Sequence, residues 1–163
     1  MKFIFDYFSR FVYVQISPDR LMVRNVMTGE TISEVPEMAI GGEPKAALAF
    51  GSQARLAAAR PGVTLVNPFA HPRTLVSDFT VAELLLRYFV RRVVGHRLLT
   101  PSPVIVMHPL GDPEGGFTQI EFRAIRELGL GAGASQVVLW RGDNLTDEQI
   151  RSKKFDGNGE VIN

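Results

Sequence analysis

The order of elements that residues 77–140 predict constrains the fold more than any other feature of this chain. A helix over about 81–94 is followed by a strand over 104–107, a second helix over about 117–128 and a strand that ends at Trp140. The first of these strands contains no polar residue, which is typical of a central strand buried on both faces. Because helices between parallel strands pack back over the sheet, this order predicts an α/β fold.

The first of the two helices carries its charges in a narrow stripe. Glu83, Arg87 and Arg91 follow one another at four-residue spacing, and the other positions are rich in Leu, Val, Tyr and Phe. Residues four apart lie on the same side of a helix. We therefore expect this helix to be covered on more than one side.

Three strands are predicted at the start of the chain. Residues 11–16 and 20–26 are separated by a Ser-Pro-Asp turn at 17–19, and a second turn at 27–30 leads into the alternating residues 31–35. Such turns connect neighbouring antiparallel strands. The pattern predicts an antiparallel three-strand meander.

A shorter unit follows the meander. Residues 46–51 read as an apolar strand, residues 52–60 as an alanine-rich helix that Pro61 and Gly62 end, and residues 63–68 as an extended piece. The meander and the two strands of the later half together predict a mixed five-stranded sheet with flanking helices.

Composition excludes several classes of function. The 163 residues are 45% hydrophobic, which is enough for one substantial core. Eighteen Lys and Arg balance 17 Asp and Glu, so no overall field favours nucleic acid as a partner. The chain has no cysteine, which excludes disulfides and thiolate sites and favours a cytoplasmic location. No stretch has the length and apolarity to span a bilayer.

Two glycine-rich segments are candidate phosphate loops. Residues 129–133 follow a helix and precede a strand, whereas a dinucleotide fingerprint follows a strand and opens a helix. Residues 111–116 have the right position, but no Lys-Ser or Lys-Thr pair follows, and Asp112 and Glu114 would repel phosphate. We predict a helix cap and turn at the first segment, a flexible connection at the second, and no cofactor site in either.

The three histidines do not form a predicted metal site. His71, His96 and His108 lack the spacing of a zinc site, and no cysteine or repeated carboxylate accompanies them. His108 ends a strand, where catalytic groups collect in α/β sheets, but the sequence offers it no evident partner. We predict no metal-binding and no catalytic residue.

The aromatic N-terminal residues allow two interpretations. Phe3, Ile4, Tyr7, Phe8 and Phe11 fall on one face of a helix, and basic residues beside them could meet lipid headgroups. Alternatively, these residues begin the first strand and enter the core. The sequence favours neither interpretation over the other.

From about residue 8 to Trp140, the order and spacing of short segments resemble the first subdomain of the MreB family of bacterial actin-like rod-shape proteins. The resemblance is densest at Phe50 and Gly51, at residues 60–62, at 76–79, at 86–89 and at 129–135. No single segment is specific to the family, but the order in which these segments follow one another is.

The resemblance implies an actin-like, ribonuclease-H-type fold that binds ATP in a cleft between two halves. It also implies assembly into membrane-attached filaments that guide cell-wall synthesis. In that family an apolar loop beside an N-terminal helix enters the membrane, and Leu98 and Leu99 occupy the matching place here. The predicted membrane-contact residues are therefore Phe3, Ile4, Tyr7, Phe8, Leu98 and Leu99.

The chain departs from the family where the ATP site is expected. The family's first phosphate loop is Asp-Leu-Gly-Thr, whereas residues 15–18 read Gln-Ile-Ser-Pro. Gln15 brings no charge for a metal, and Pro18 removes a backbone donor. After the last strand the family has Glu-Glu-Pro with its water-activating glutamate, whereas this chain continues as Arg141-Gly142-Asp143. Asp143 is a weak substitute for that base.

We therefore predict a degenerate, truncated MreB-like subdomain at residues 11–140, preceded by a membrane-interfacial segment at 1–10 and followed by a divergent polar tail at 141–163 that adds little to the core. Because the chain ends before the family's second half, we expect no ATP or Mg²⁺ cofactor and no ATPase activity. The predicted function is an interaction module whose partners are MreB filaments, cell-wall synthesis proteins or the inner face of the cytoplasmic membrane. The alternative is half of a split actin-like ATPase that another chain completes.

Overall fold

The computed structural model describes residues 10–95, 101–111 and 115–163. Within these ranges the strands are β1 (Phe11–Ile16), β2 (Leu21–Asn25), β3 (Thr31–Glu34), β4 (Met38–Gly41), β5 (Ala46–Phe50), β6 (Thr64–Val66), β7 (Val104–Pro109), β8 (Gln136–Gly142) and β9 (Gly159–Ile162). The helices are α1 (Ser52–Ala58), α2 (Phe79–Val94), α3 (Gln119–Gly131) and α4 (Asp147–Arg151).

The main sheet has the strand order β3-β2-β1-β7-β8-β9. Its first three strands are antiparallel, β1, β7 and β8 are parallel, and β9 returns antiparallel to β8. The predicted α/β fold with an opening meander is confirmed. The sheet has six strands rather than the predicted five, because Gly159–Ile162 pairs with β8 instead of forming a loop.

A second sheet of three strands has the order β5-β4-β6, and both pairings are antiparallel. The predicted strand at 46–51 and the extended piece at 63–68 form its two edges. Its central strand β4 was not predicted. Met38–Gly41 is short and follows Pro36 closely, so its sequence alone carries little strand signal.

One face of the main sheet is covered by α2 and α3. Val12, Val14 and Ile16 of β1 alternate along the strand and are buried in the same core as α2 and α3. Asp78 caps α2 by accepting from Val81 N, and Thr118 begins α3 with a capping box. Both predicted helices are thus confirmed, with boundaries shifted by two or three residues, as is usual for helix ends.

The charged stripe of α2 connects the two helices. Arg87 pairs with Glu83 one turn earlier, and Arg87 Nε donates to the carbonyl oxygen of Gly131 at 2.9 Å. A cation at the C-terminal end of a helix satisfies a free carbonyl group and interacts favourably with the helix dipole. The stripe therefore holds the end of α3 against α2. The expected cover on more than one side is present only in part, because Phe79, Leu84 and Tyr88 remain exposed.

The opposite face of the main sheet is covered by the segment after β8. Tyr13, Val106 and Trp140 form a second core with Leu145 and Ile150, all of them buried. The expectation that the tail adds little to the core is therefore wrong. Although the tail is polar in composition, Leu145 in the loop before α4 and Ile150 in α4 pack against the sheet. The helical turn predicted after Thr146 is confirmed, and Thr146 caps it.

Nothing described tests the predicted membrane contacts. Phe3, Ile4, Tyr7, Phe8, Leu98 and Leu99 all lie outside the described residues. Within the three described ranges, no helix combines the length and apolarity needed to cross a bilayer. Membrane contact thus stays a prediction.

Replacing Ile150 by alanine is expected to lower the free energy of unfolding by about 2–5 kcal/mol, since the side chain is 0% exposed and its removal leaves a cavity. The matched control is Ile120→Ala on α3, where the side chain is 81% exposed and the change should stay within about 0.5 kcal/mol. Urea unfolding followed by circular dichroism measures both. Equal effects would show that α4 is not part of the folded core.

Candidate functional site

The carboxyl ends of β1, β7 and β8 meet at one edge of the main sheet. The three strands are adjacent and parallel, and the register places Gln15 beside His108 and Ile16 beside Pro109. In open α/β sheets ligands bind outside the carboxyl ends of the strands. This edge is therefore where a functional site is expected.

Four polar side chains meet there and are called the polar cluster: Tyr13, Gln15, His108 and Asn144. Tyr13 and Gln15 are alternate residues of β1 and share a face, and His108 lies on the same face of β7. These three side chains are buried. The loop after β8 brings Asn144 over them from the solvent side.

The hydrogen bonds of the polar cluster define the tautomer of His108. The Gly142 carbonyl oxygen lies 3.0 Å from His108 Nε2 and can only accept, so Nε2 carries the proton. His108 Nδ1 then accepts from the Tyr13 hydroxyl at 2.6 Å. The Tyr13 oxygen accepts in turn from Gln15 Nε2 at 3.2 Å and from Leu145 N at 3.3 Å. Each buried group thus has a partner.

The remaining donor of Gln15 is directed at the loop after β8. Gln15 Nε2 donates to Asn144 Oδ1 at 2.6 Å, so both protons of the amide are used within the polar cluster. Satisfied buried networks are rigid, whereas one lost partner leaves another group unpaired. Asn144 and Gln15 therefore hold the loop against the strand ends.

Burial sets the protonation states in the polar cluster. It lowers the pKa of His108, an effect that the hydrogen bond to the Gly142 carbonyl opposes. Burial also raises the pKa of Tyr13, which the hydrogen bonds from Leu145 and Gln15 and the charge of Arg24 oppose. Both groups are therefore neutral near pH 7.

The polar cluster does not fit a magnesium nucleotide. Mg²⁺ is held in proteins by carboxylates and phosphates, and the cluster supplies two neutral amides, a phenol and a neutral imidazole. In the part of the chain that the structure describes, no three His, Cys, Asp or Glu side chains come together to hold a metal ion.

The turn between β1 and β2 is also satisfied internally. Ser17 N donates to the Arg20 carbonyl at 2.9 Å, and Arg20 N donates to Ser17 Oγ at 3.0 Å. Pro18 has no N–H, and its carbonyl accepts from Asn67 Nδ2 at 2.8 Å. A phosphate loop needs several free backbone donors, and this turn has used the ones that Ser17 and Arg20 provide.

Arg141 and Gly142 end β8, and Asp143 begins the connection to β9. The Asp143 carboxylate accepts from Asn158 Nδ2 at 3.1 Å, and its backbone carbonyl accepts from Trp140 Nε1 at 2.8 Å. Asp143 thus anchors the return of the chain towards β9.

A cavity of about 640 Å³ lies next to the strand ends, between the loop before α2 and the start of α3. Glu121 lines it and accepts from Thr118 N at 2.8 Å and from Leu75 N at 2.9 Å. The N-terminus of α3, which would otherwise attract an anion, is therefore already capped by a carboxylate. Arg73 and His71 line the outer side of the same cavity and are exposed.

The remaining predicted sites have different outcomes. Residues 129–131 end α3 and residues 132–133 turn the chain into β8, so the predicted cap and turn are confirmed and no dinucleotide loop exists there. The 111–116 connection is described only in part, because 112–114 lie outside the described residues, as does His96. His71 accepts from Arg73 N in an exposed loop.

The sequence did not reveal the partners of His108. Tyr13 and Gln15 are recognisable as polar residues on alternate positions of an apolar strand, which is a signal of a buried network. His108 and Asn144 lie about a hundred residues further along the chain than β1. Local sequence patterns therefore could not predict their contacts with this strand.

Comparison with known proteins identifies the relatives of this chain. A family model described as "MreB/Mbl protein" matches residues 20–145. The cell shape-determining protein MreB of Escherichia coli is 38% identical over 101 residues, which is 60% of this chain and 27% of that protein. The protein of the same name from Haemophilus influenzae is 36% identical over 99 residues, with the same coverage. The chain thus spans about a quarter of the length of these relatives.

Solved structures share the fold. MreB5 of Spiroplasma citri bound to ADP superimposes with a TM-score of 0.64 at 16% identity, over 80% of this chain and 37% of that chain. A non-polymerising mutant of MamK bound to AMPPNP gives a TM-score of 0.64 at 10% identity, over 80% of this chain and 40% of that chain. These similarities confirm the predicted actin-like fold.

Replacing His108 by glutamine is expected to remove part of the pH dependence of stability. Well above the unperturbed histidine pKa of about 6.5, the side chain is neutral in both the folded and the unfolded state. Because burial lowers the pKa of His108 in the fold, the unfolded chain takes up the proton first as the pH falls, and the wild type loses up to about 1.4 kcal/mol per pH unit until the folded pKa is reached.

Urea unfolding at pH 8 and pH 5 measures this effect. At pH 8 the variant should be less stable than the wild type by about 1–3 kcal/mol, because Tyr13 loses its acceptor. At pH 5 the difference should be smaller. His71→Gln, the same change in an exposed loop, should keep the wild-type pH dependence. A difference between wild type and His108→Gln that does not change with pH would contradict the prediction.

Proposed function

The chain belongs to the MreB/Mbl protein family, and on that premise we propose that it is a cell-shape cytoskeletal protein that neither binds nor hydrolyses ATP and acts by binding filaments of a complete family member. The first part of this proposal, the absence of ATP binding, depends on the carboxyl ends of the parallel strands. The second part, binding to filaments, depends on an exposed surface.

The hydrogen bond between Gln15 and Asn144 is the main observation in favour of a chain that does not bind ATP. It lies at the carboxyl ends of the parallel strands, where the resemblance to the family implies a carboxylate for the metal and a glycine for close approach to phosphate. Admitting a phosphate would break this bond and place an anion beside Tyr13, Gln15 and the neutral His108. None of the four side chains of the polar cluster supplies a positive charge to balance that anion.

The turn and the loop on either side of the polar cluster support the same conclusion. Pro18 has no backbone donor for a phosphate, and Asp143 is bonded to Asn158. Restoring the family's residue at one of these positions would not change the other positions. The proposed loss of ATP binding therefore rests on several residues rather than on one.

An exposed aromatic patch supports the second part. The rings of Phe50 and Tyr88 stack with their centroids 4.1 Å apart, and the Arg92 guanidinium lies 5.7 Å from the centroid of Tyr88. Leu48 extends the patch along β5 and is 46% exposed. Tyrosine, phenylalanine and arginine are enriched at protein interfaces relative to the rest of the protein surface. We call these four residues the aromatic patch.

The aromatic patch lies where the small sheet meets α2. A cavity of about 490 Å³ opens between β5 and α2, and all four residues of the patch line it. Glu34 lines the same cavity and accepts from Ser52 N at 2.9 Å. The patch is therefore supported by two packed elements, as an anchor for a partner needs to be.

Mg-ATP is expected to leave the melting temperature of the chain unchanged within about 1 °C. A ligand at a hundred times its dissociation constant adds about 2.7 kcal/mol, which would raise the melting temperature by several degrees. Thermal unfolding with and without Mg-ATP measures this. Gln15→Asp, which introduces a carboxylate, should also show no shift, because Pro18 and Asn144 remain. A saturable shift of the wild type would overturn the first part.

The chain is expected to sediment with filaments of a complete MreB, and Tyr88→Ala should reduce the bound fraction about tenfold or more, as loss of an aromatic anchor does. The matched control is Leu56→Ala on α1, where the side chain is 70% exposed outside the aromatic patch. A bound fraction that both variants leave unchanged would contradict the role of the patch. A rate of ATP hydrolysis above the sum of the separate proteins would favour the split-ATPase alternative.

A further inference from the structure

Among the described residues, no strand pairs with the outer edge of β9, and main-chain groups on that side are left unpaired by the sheet. Asp143 N donates to the Asn158 carbonyl, which makes these two residues a hydrogen-bonded pair of the antiparallel ladder. Such pairs alternate with non-bonded ones. The main-chain groups of Glu160 and Ile162 therefore face β8, and those of Val161 face away from the sheet.

Edge strands in natural proteins are protected by proline, by charged side chains such as lysine, by bulges or by being very short. β9 (Gly159-Glu160-Val161-Ile162) is short and carries one charge at Glu160, but it has no proline, no lysine and no bulge in its pairing with β8. Its register is fixed, since a Cβ at Gly159 would lie 2.3 Å from Trp140 Cζ2, so only glycine fits there. The outward main-chain groups of β9 are thus available for pairing, and the register of β9 on β8 is fixed.

A groove of about 860 Å³ runs between this edge and α3. Its floor includes Leu139 and Ile162, and its helical wall includes Arg123, Arg126 and Glu127. The two arginines outnumber the single glutamate, so the groove attracts a carboxylate. Arg126 Nη2 donates to the Ile162 carbonyl at 3.1 Å, which places this cation directly at the edge of the sheet.

We propose that β9 pairs antiparallel with β9 of a second copy of this chain, about a two-fold axis at Val161. The two Val161 residues then face each other and exchange two hydrogen bonds, which is the geometry of a hydrogen-bonded pair. A symmetric pairing requires this kind of self-complementary surface. The two main sheets join into one continuous sheet of twelve strands, six from each copy.

Charge complementarity selects the second copy as the occupant. In this register Glu160 of one copy lies opposite Ile162 of the other, beside Arg126. The Glu160 side chain is 64% exposed, and its ion pair with Arg141 is long, at 4.0 Å. Each copy therefore supplies one carboxylate and one guanidinium, and the contact between Glu160 and Arg126 forms twice. This inference does not depend on the proposed function.

Sedimentation equilibrium of the 163-residue chain over a range of concentrations tests the proposal. The wild type should show a monomer–dimer equilibrium. Val161→Pro should raise the dissociation constant about tenfold or more, because it removes the outward N–H without removing a bond to β8. Val161→Ala keeps the N–H and is the matched control that should still dimerise. Circular dichroism and thermal unfolding confirm that both variants fold.

Charge reversal tests the register. Arg126→Glu and Glu160→Arg should each weaken the dimer about tenfold, and the two changes combined should restore it, because the attraction is then reversed but present. Glu30→Arg in the turn after β2 is a control reversal that should have no effect. A wild type that stays monomeric up to about 1 mM, or a dimer that Val161→Pro leaves intact, would overturn the proposal and leave the edge to a strand of another protein.

Discussion

β1 is buried on both faces, and the rest of the fold covers one or the other of its two rows of side chains. It lies between antiparallel β2 and parallel β7, so its main chain is fully paired. Val12, Val14 and Ile16 face α2 and α3, whereas Phe11, Tyr13 and Gln15 face the opposite side. A strand of this kind needs two covering layers, and the sequence after β8 provides the second one.

The second row contains two polar residues, and this determines what the covering layer has to contain. A buried hydroxyl and a buried amide are costly unless each finds a partner. Tyr13 finds His108 and Leu145 N, and Gln15 finds Asn144. The covering layer therefore combines apolar contacts from Leu145 and Ile150 with polar contacts at the strand ends. The same contacts that complete the core also hold the loop after β8 over the carboxyl ends of β1 and β7.

Local patterns predicted the elements that carry strong periodicity or clear caps. α2 has an apolar surface interrupted by one charged stripe, β7 has no polar residue in its first four positions, and α3 begins at a capping box. β4 was missed because it is only four residues long, and β9 because it is short and follows a glycine-rich turn. Their formation depends on partner strands, and a short strand gains little stability without one.

The sequence predicted only part of the polar cluster, because its other members come from distant parts of the chain. The departure at Gln15 and Pro18 could be recognised from the resemblance, and the structure places Gln15 in the polar cluster. The partners of Gln15 could not be recognised, because Asn144 lies in a loop whose course depends on Trp140, Gly142 and Asn158. Contacts between distant parts of the chain leave no periodic signal.

One segment, residues 142–163, both covers the ends of the parallel strands and forms the edge strand β9. At its start, the backbones of Gly142 and Gly159 approach so closely that a Cβ at Gly142 would lie 2.3 Å from the Asn158 carbonyl oxygen. This close approach lets the chain leave β8, place Asn144 over Gln15 and return as β9. The return adds a strand beyond β8, and an added strand necessarily moves the open edge of the sheet outward. Covering the strand ends and exposing a new edge are therefore two consequences of the same turn.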